Sequence, residues 1–408
     1  MRTRLALSLG IALATGGCAP RAAAPPAADA SLARGIAVAD SLVAAGVGTL
    51  YPGAVLLVAQ GGRVVHERAH GHAQLLDAEG RRLADPPPVR TTTLFDLASV
   101  TKVAATTTSL LLLVDRGRVE LDAPIARYLP ELRDARFEGV TVRHLLQHAS
   151  GLVQWQPLYY QARTPDAVLQ AIARMPLQWR VGEGRHYSDL GFMLLGHLVQ
   201  RVAGEPLDRF ARRELFEPLG MRAATFRPDS RRAGEVAATE TGNAYERQMV
   251  YDPNFGYDYA GDPRAWDGWR RHVTIGETND GNAWYAHGGW AGHAGLFATA
   301  SDLHRLLALW LGRGVVDGRR IARAESVERF LTRDRYGHYL GWMAPAGLPE
   351  GSFAHTGFTG TWVLGVPARG LAVVLLTNRQ NMGRNEQGYF PDLAPLQRAV
   401  GTALTAQR

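Results

Sequence analysis

"GLAVVLLTN", residues 370–378, is a glycine turn followed by seven apolar or β-branched residues, which is the pattern of a strand covered on both faces. Near the other end, "AVLLVAQ" (54–60), the turn "GG" and "RVVHERAHG" (63–71) predict a β-hairpin of similar character. "RYGHYLGWM" (335–343), "GSFAHTG" (351–357) and "GTWVLGV" (360–366) extend the C-terminal run into a strand meander, and a helical tail is expected near 391–406. Strands at both ends, with a helix expected over 32–47, imply one antiparallel sheet assembled from the two chain ends. From roughly 99 to 332 the apolar residues recur at helical spacing, as in "SVTKVAATTTSLLLLVDRG", "VRHLLQHASG", "DLGFMLLGHLVQRVAG", "LDRFARRELFEPLG" and "SDLHRLLALWLGRG". The expected fold is therefore α/β (α+β): an antiparallel sheet flanked by helices, with a mostly helical subdomain inserted at roughly 103–332. Residues 222–285 show little periodicity and are rich in Gly, Asp, Arg and aromatics, which favours a long ordered loop able to line a cleft.

By length alone, 408 residues would allow two to three conventional domains, or one large interleaved α/β unit. Hydrophobic residues make up 46% and charged residues 20%, and no internal apolar run reaches the roughly 18 residues of a membrane span. The net charge of +7 comes from arginines scattered among acids, without a basic block or a nucleic-acid motif, so no nucleic-acid partner is expected.

At the N-terminus, Arg2 and Arg4 precede "LALSLGIALA", the small residues "TGG" and Cys18, which is the layout of an export signal. It resembles a bacterial lipoprotein signal over residues 1–18, in which Cys18 would be lipidated and tie the chain to a membrane. Thr15 departs from the usual leucine, and simple cleavage nearby is the alternative. Residues 19–30 read as an Ala/Pro linker, and 31–408 as the folded domain. Cys18 is the sole cysteine, so no intramolecular disulfide can form.

Of the 45 Lys and Arg residues, one alone is lysine: Lys102, three residues after Ser99 at the expected start of an apolar helix. That spacing sets the amine beside the hydroxyl within one turn. A serine hydroxyl needs a base to become a useful nucleophile; a lysine with depressed pKa can supply one, whereas arginine stays protonated.

"FDLASVTK" (95–102), "LLQHASGL" (145–152), "YSDLGFMLLG" (187–196), "GGWAGHAGLFATASDL" (288–303) and "HTGFTGTWV" (355–363) resemble, in order, the blocks of the β-lactamase-related, penicillin-binding serine hydrolases. The resemblance spans about 35–400. It implies Ser99 as the acylated nucleophile, Lys102 as its base, and Tyr187 as a partner in proton transfer. It also implies an oxyanion hole from the N–H groups of Ser99 and Phe358, and Asp189, His355, Thr356 and Gly357 beside the substrate. Asp189 stands where lactamases more often have asparagine, and a carboxylate there would raise the pKa of Lys102. His355 stands where lysine is usual, and a neutral imidazole is a poorer anchor for a substrate carboxylate.

His148 and His293 could be read as ligands or bases, but histidines beside Gly and Ser turns are more often structural. No HExxH or clustered spacing appears, so neither a metal nor any other cofactor is expected. "GGWAGHAG" lacks the GK[ST] of a phosphate loop and reads instead as tight backbone near the cleft. Trp155, Tyr159, Tyr160 and Trp290 are either substrate contacts or buried aromatics, and Asp280 either a site residue or a turn former. The resulting expectation is an exported, periplasmic, lipid-anchored serine hydrolase acting on a small acyl or peptide substrate, peptidoglycan included. The first reading is D-alanyl-D-alanine carboxypeptidase-like. An esterase, a β-lactamase and a catalytically silent envelope binding protein are the alternatives.

Overall fold

In the computed structural model, residues 30–406 apart from Asp258 are described; Cys18, the expected export signal and most of the expected linker lie outside them. Five strands form the main sheet: β1 (Gly53–Gln60), β2 (Arg63–Gly71), β3 (Phe353–Thr356), β4 (Trp362–Val366) and β5 (Leu371–Thr377). Their order is β2-β1-β5-β4-β3, antiparallel throughout, so the two ends of the chain meet at the β1–β5 pair, with Val55 opposite Leu376 and Leu57 opposite Val374.

The continuous apolar character of β1 and β5 follows from burial on both faces. Ala54, Leu56 and Val58 join Leu371, Val373 and Leu375 beneath helices Ala30–Ala45 and Ala394–Thr405. The alternate residues Val55, Leu57 and Ala59, with Ala372, Val374 and Leu376, enter the larger core shared with the helical middle. The β1–β2 hairpin turns through Gly61 and Gly62, both at positive φ, as a two-residue turn of this twist requires. β2 is the exposed edge and carries Arg63, His66, Glu67 and Arg68, charges that discourage further strand pairing.

One expected strand is absent. Residues 335–343 contribute only Met343, which exchanges two 2.9 Å backbone bonds with Ala354 of β3. Gly337 and Gly341 break the run at positive φ, and Gly341 packs so closely on Thr107 that a Cβ there would strike its hydroxyl. The bridge ends at Ala354, leaving His355 and Thr356 at the edge of the sheet.

Helices fill the middle of the chain: among them Thr108–Asp115, Pro165–Arg174, Asp189–Ala203 and Ala300–Leu311. The first continues a π turn at Lys102–Thr107, where Thr106 Oγ1 donates to Gly292 O (2.6 Å). The aperiodic stretch is ordered. It contains helix Ala244–Tyr251 and closes around Arg270, whose buried guanidinium donates to Asn243 Oδ1 (3.0 Å), Thr278 O (2.8 Å) and Asn279 O (3.0 Å).

Candidate active site

Ser99 sits on a strained turn. The short strand Phe95–Asp96 pairs with Phe297–Ala298, Leu97 N–H donates to Leu296 O (2.9 Å), and Ala98 then takes φ +44°, an unusual value for a residue with a Cβ. The chain enters the helix immediately afterwards. Asp96 holds the turn from inside by accepting from Ala98 N–H (2.9 Å) and from Asn279 N–H (2.6 Å). The hydroxyls of Thr359 and Thr361 donate to the carbonyls of Asp96 (2.6 Å) and Leu97 (3.0 Å), fastening the β3–β4 turn to the same segment.

Lys102 is fully buried one turn below Ser99. Its Nζ donates to Ser99 Oγ (2.8 Å) and to His293 O (3.3 Å), and lies 2.6 Å from Asp189 Oδ1. The ammonium also lies 4.9 Å from the centre of the Tyr187 ring. Burial alone would push the lysine pKa down, but the Asp189 carboxylate, Tyr187 and their hydrogen bonds outweigh it and hold the pKa above the ordinary value. Lys102 is therefore an ammonium at rest. The phenol of Tyr187 reaches both Lys102 and Ser99; burial raises its pKa against the lowering influence of the Lys102 charge, so it too keeps its proton.

The elements explain this convergence. Ser188 caps helix Asp189–Ala203 by accepting from Gly191 N–H (3.2 Å), which puts Asp189 in the first turn, where the helix dipole favours a carboxylate. His148, at φ +56°, accepts from Ser188 N–H through Nδ1 (3.0 Å), and its ring lies 4.4 Å from that of Tyr187. Gly292 lets the loop before His293 lie directly on the helix, since a Cβ there would collide with the Phe192 carbonyl. "GGWAGHAG" is thus a close backbone approach, and it delivers the His293 carbonyl to Lys102.

Among the described residues, neither Ser99 N–H nor Phe358 N–H donates to a protein acceptor. Both residues line the cavity over the Ser99 hydroxyl, about 130 Å³ in volume. Gly357 sets that geometry: a Cβ there would strike the Leu97 carbonyl and the Thr361 hydroxyl. His355 is buried, with Nδ1–H donating to Thr356 O (2.9 Å) and Nε2 unpartnered. Burial and the nearby Lys102 charge push its pKa down to about 3, so it is neutral. It packs towards Tyr187, ring centres 6.4 Å apart, whereas Phe358 rather than His355 or Thr356 contributes to the cavity wall.

The wall holds residues that sequence reasoning did not single out: Gln154, Tyr245, Glu246, Met249, Tyr257 and Asn279. The aromatics and methionine come from the long loop, whose composition was the available signal. Glu246 accepts from Gly281 N–H (2.7 Å) and Tyr159 O–H (3.1 Å), and burial raises its pKa well above the usual range. Asp280 pairs with His293 Nε2 (2.9 Å); burial opposes its charge, but His293 and further hydrogen bonds bring the pKa down to about 2. Trp155 faces Tyr257 in the cavity wall, Tyr159 is fully buried, Tyr160 donates to Pro263 O (2.9 Å), and Trp290 lies elsewhere, against Phe226. No group of three or more His, Cys, Asp or Glu suited to a metal occurs among the described residues.

Burial raises the Asp96 pKa from 3.8 to about 6, against the pull of its two backbone donors. The folded state then holds its proton more tightly than the unfolded state, and its contribution to stability declines as pH rises from about 4 to about 6. In urea unfolding, Asp96→Asn is expected to gain relative to wild type across that window, by on the order of 3 kcal/mol. A stability difference that does not change between pH 4 and 7 would contradict this.

Comparison with known proteins agrees with this architecture. Residues 39–394 match the Beta-lactamase family profile. An N-acetylmuramyl-L-alanine amidase of Bacillus subtilis (strain 168) is 29% identical over 369 residues, which cover 84% of this chain and 80% of the relative. A protein of Escherichia coli (strain K12), described as "Putative D-alanyl-D-alanine carboxypeptidase", is 31% identical over 360 residues, 81% of this chain and 79% of the relative. Among solved structures, EstCE1, a hydrolase with promiscuous acyltransferase activity, superposes with a TM-score of 0.67 at 22% identity, covering 92% of this chain and 99% of its own. A class C β-lactamase from Rhodobacter sphaeroides gives 0.61 at 22%, covering 90% and 98%.

Proposed function

This chain belongs to the β-lactamase family of SxxK serine hydrolases, and from that premise we propose that it hydrolyses an amide bond of a cell-wall peptide, in the manner of a D-alanyl-D-alanine carboxypeptidase. The observation that carries the reading is the contact of Ser99 Oγ with the buried Lys102, beneath two free backbone N–H groups. Ser99 Oγ attacks the scissile carbonyl, and the N–H groups of Ser99 and Phe358 receive the developing oxyanion. The serine proton goes to Lys102 as Lys102 passes its own to Asp189, 2.6 Å away, so the buried set keeps its total of protons. Tyr187 then gives its proton to the leaving amine and is reprotonated through Lys102. The C–N bond breaks and acyl-Ser99 remains. Water attacks the ester by the reverse path and restores Ser99. Asp189 serves as the proton reservoir of this network and His355 as a neutral neighbour of Tyr187, with Thr356 and Gly357 forming the flanking strand edge.

A specific observation favours a second reading. The cavity over Ser99 has Trp155, Tyr245, Met249, Tyr257 and Phe358 in its wall and no Lys or Arg lining it, which suits a neutral acyl group and hence an esterase. The two are separated by supplying a peptide ending in D-alanyl-D-alanine and a p-nitrophenyl ester of a short acid. Release of D-alanine, absent in Ser99→Ala, supports the peptidase; turnover of the ester alone assigns the esterase. The export signal and Cys18 further support delivery to the cell envelope with a lipid anchor. Among the described residues no helix is long and apolar enough to cross a membrane.

A further inference from the structure

Behind the loop that carries His293 lies a second cavity of about 240 Å³, between helix Asp189–Ala203 and residues 287–292. Much of its wall is apolar, including Met193, Pro206 and Leu207, but His197 and His287 also line it. They are 8% and 9% exposed, and the Nε2 of each has no partner. Buried imidazole nitrogens left in this state are costly, and two against one cavity call for a common explanation.

The tautomer of His287 is set. Its Nδ1–H donates to Asn282 O (2.9 Å), leaving Nε2 as a bare lone pair, which is the arrangement that orients a metal-binding histidine through its second nitrogen. The His197 and His287 ring centres are 6.0 Å apart, with planes inclined at 48°. Two imidazoles on one tetrahedral zinc-class ion at about 2.0–2.1 Å would have ring centres about 5.2 Å apart, so an approach of under about 1 Å between the two segments brings both rings onto one ion. Gln200, one turn beyond His197, lines the same cavity, and its Oε1 accepts only a long bond (3.4 Å) from Leu207 N–H. Burial keeps both imidazoles neutral, pushing the pKa of His197 down to about 4 and that of His287 to about 3, so both are in the ligating form at neutral pH.

We propose that His197 and His287 form a binding site for a divalent transition-metal ion of the zinc class, with the Gln200 amide oxygen and solvent completing its coordination. An imidazole pair with an oxygen donor suits zinc, copper or nickel rather than magnesium or calcium. The ion would join the helix that begins with Asp189 to the segment that ends in the His293 carbonyl, and so brace two contacts of Lys102 from behind. The site is separate from Ser99 and does not depend on which acyl bond is cut.

The test is titration of the tag-free full chain with Zn²⁺ by calorimetry and with Co²⁺ by visible absorption. One equivalent is expected to bind. His197→Ala and His287→Ala should each weaken it by at least the roughly tenfold that losing even an outer-shell partner costs. His66 and His70 already share Asp40 (3.1 and 2.8 Å), and their joint replacement by alanine should leave the affinity unchanged. For the case in which a variant does not fold, Zn²⁺ should protect His197 and His287 of the wild type from diethyl pyrocarbonate. Absence of stoichiometric binding, affinity unchanged in both variants, loss of binding on replacing His66 and His70, or no protection would each overturn the proposal.

Discussion

Lys102→Met is expected to lower kcat/KM by about 10²–10⁴-fold, the range that a positioned proton-transfer group contributes. Methionine nearly matches the lysine in length and fills the same fully buried site, but it can neither accept the Ser99 proton nor exchange one with Asp189. The substitution also leaves the carboxylate without its ammonium, and breaking a buried pair in this way costs about 3–5 kcal/mol; the partial solvation of Asp189 places the loss at or below the low end. Lys102→Met/Asp189→Asn should therefore recover much of the melting temperature while staying inactive, which separates chemistry from folding. Asp189→Asn alone removes the main influence that raises the lysine pKa. With no carboxylate left to take the ammonium proton, only the neutral amine can accept from Ser99, so the acid limb of the kcat/KM profile comes to follow the titration of Lys102 and moves to higher pH. A Lys102→Met enzyme within tenfold of wild type would remove the lysine from the mechanism.

Gly357→Ala should reduce kcat by about 10²–10³-fold, the cost of losing one oxyanion donor. This glycine is not needed for an unusual backbone angle. The added methyl group would press on the Leu97 carbonyl and the Thr361 hydroxyl, the atoms that join the β3–β4 turn to the Ser99 turn. Phe358 N–H would be carried away from Ser99 N–H while Lys102 and Tyr187 kept their places. Phosphonylation of Ser99 by a small reactive fluorophosphonate, which forms a P–O bond as fluoride leaves, should slow along with substrate turnover, and unchanged rates for both would show that the turn absorbs the methyl group.

The sheet was legible because burial on both faces of β1 and β5 leaves an unbroken apolar run, and because Gly61–Gly62 marks the hairpin turn. Residues 335–343 misled for a related reason: aromatic content resembles a strand, but Gly337 and Gly341 turn the chain, and close packing on Thr107 decides its path. Ser99 and Lys102 could be paired from spacing alone, since one helical turn fixes their separation. Asp96 belongs to the same FDLASVTK segment, yet its role depends on Asn279, which lies 183 positions away in a loop without periodicity. Glu246, Tyr257 and Met249 were similarly hidden: aromatic and acidic composition suggested a cleft wall but could not say which side chains face Ser99.

Intact-mass spectrometry of the chain after exposure to penicillin and, separately, to a fluorophosphonate tests acyl-Ser99 chemistry most directly. The expected result is one covalent adduct on wild type with at least one of the two reagents, located at Ser99 by peptide mapping and absent from Ser99→Ala. An unmodified wild-type mass with both reagents, or an adduct that persists in Ser99→Ala, would contradict the account.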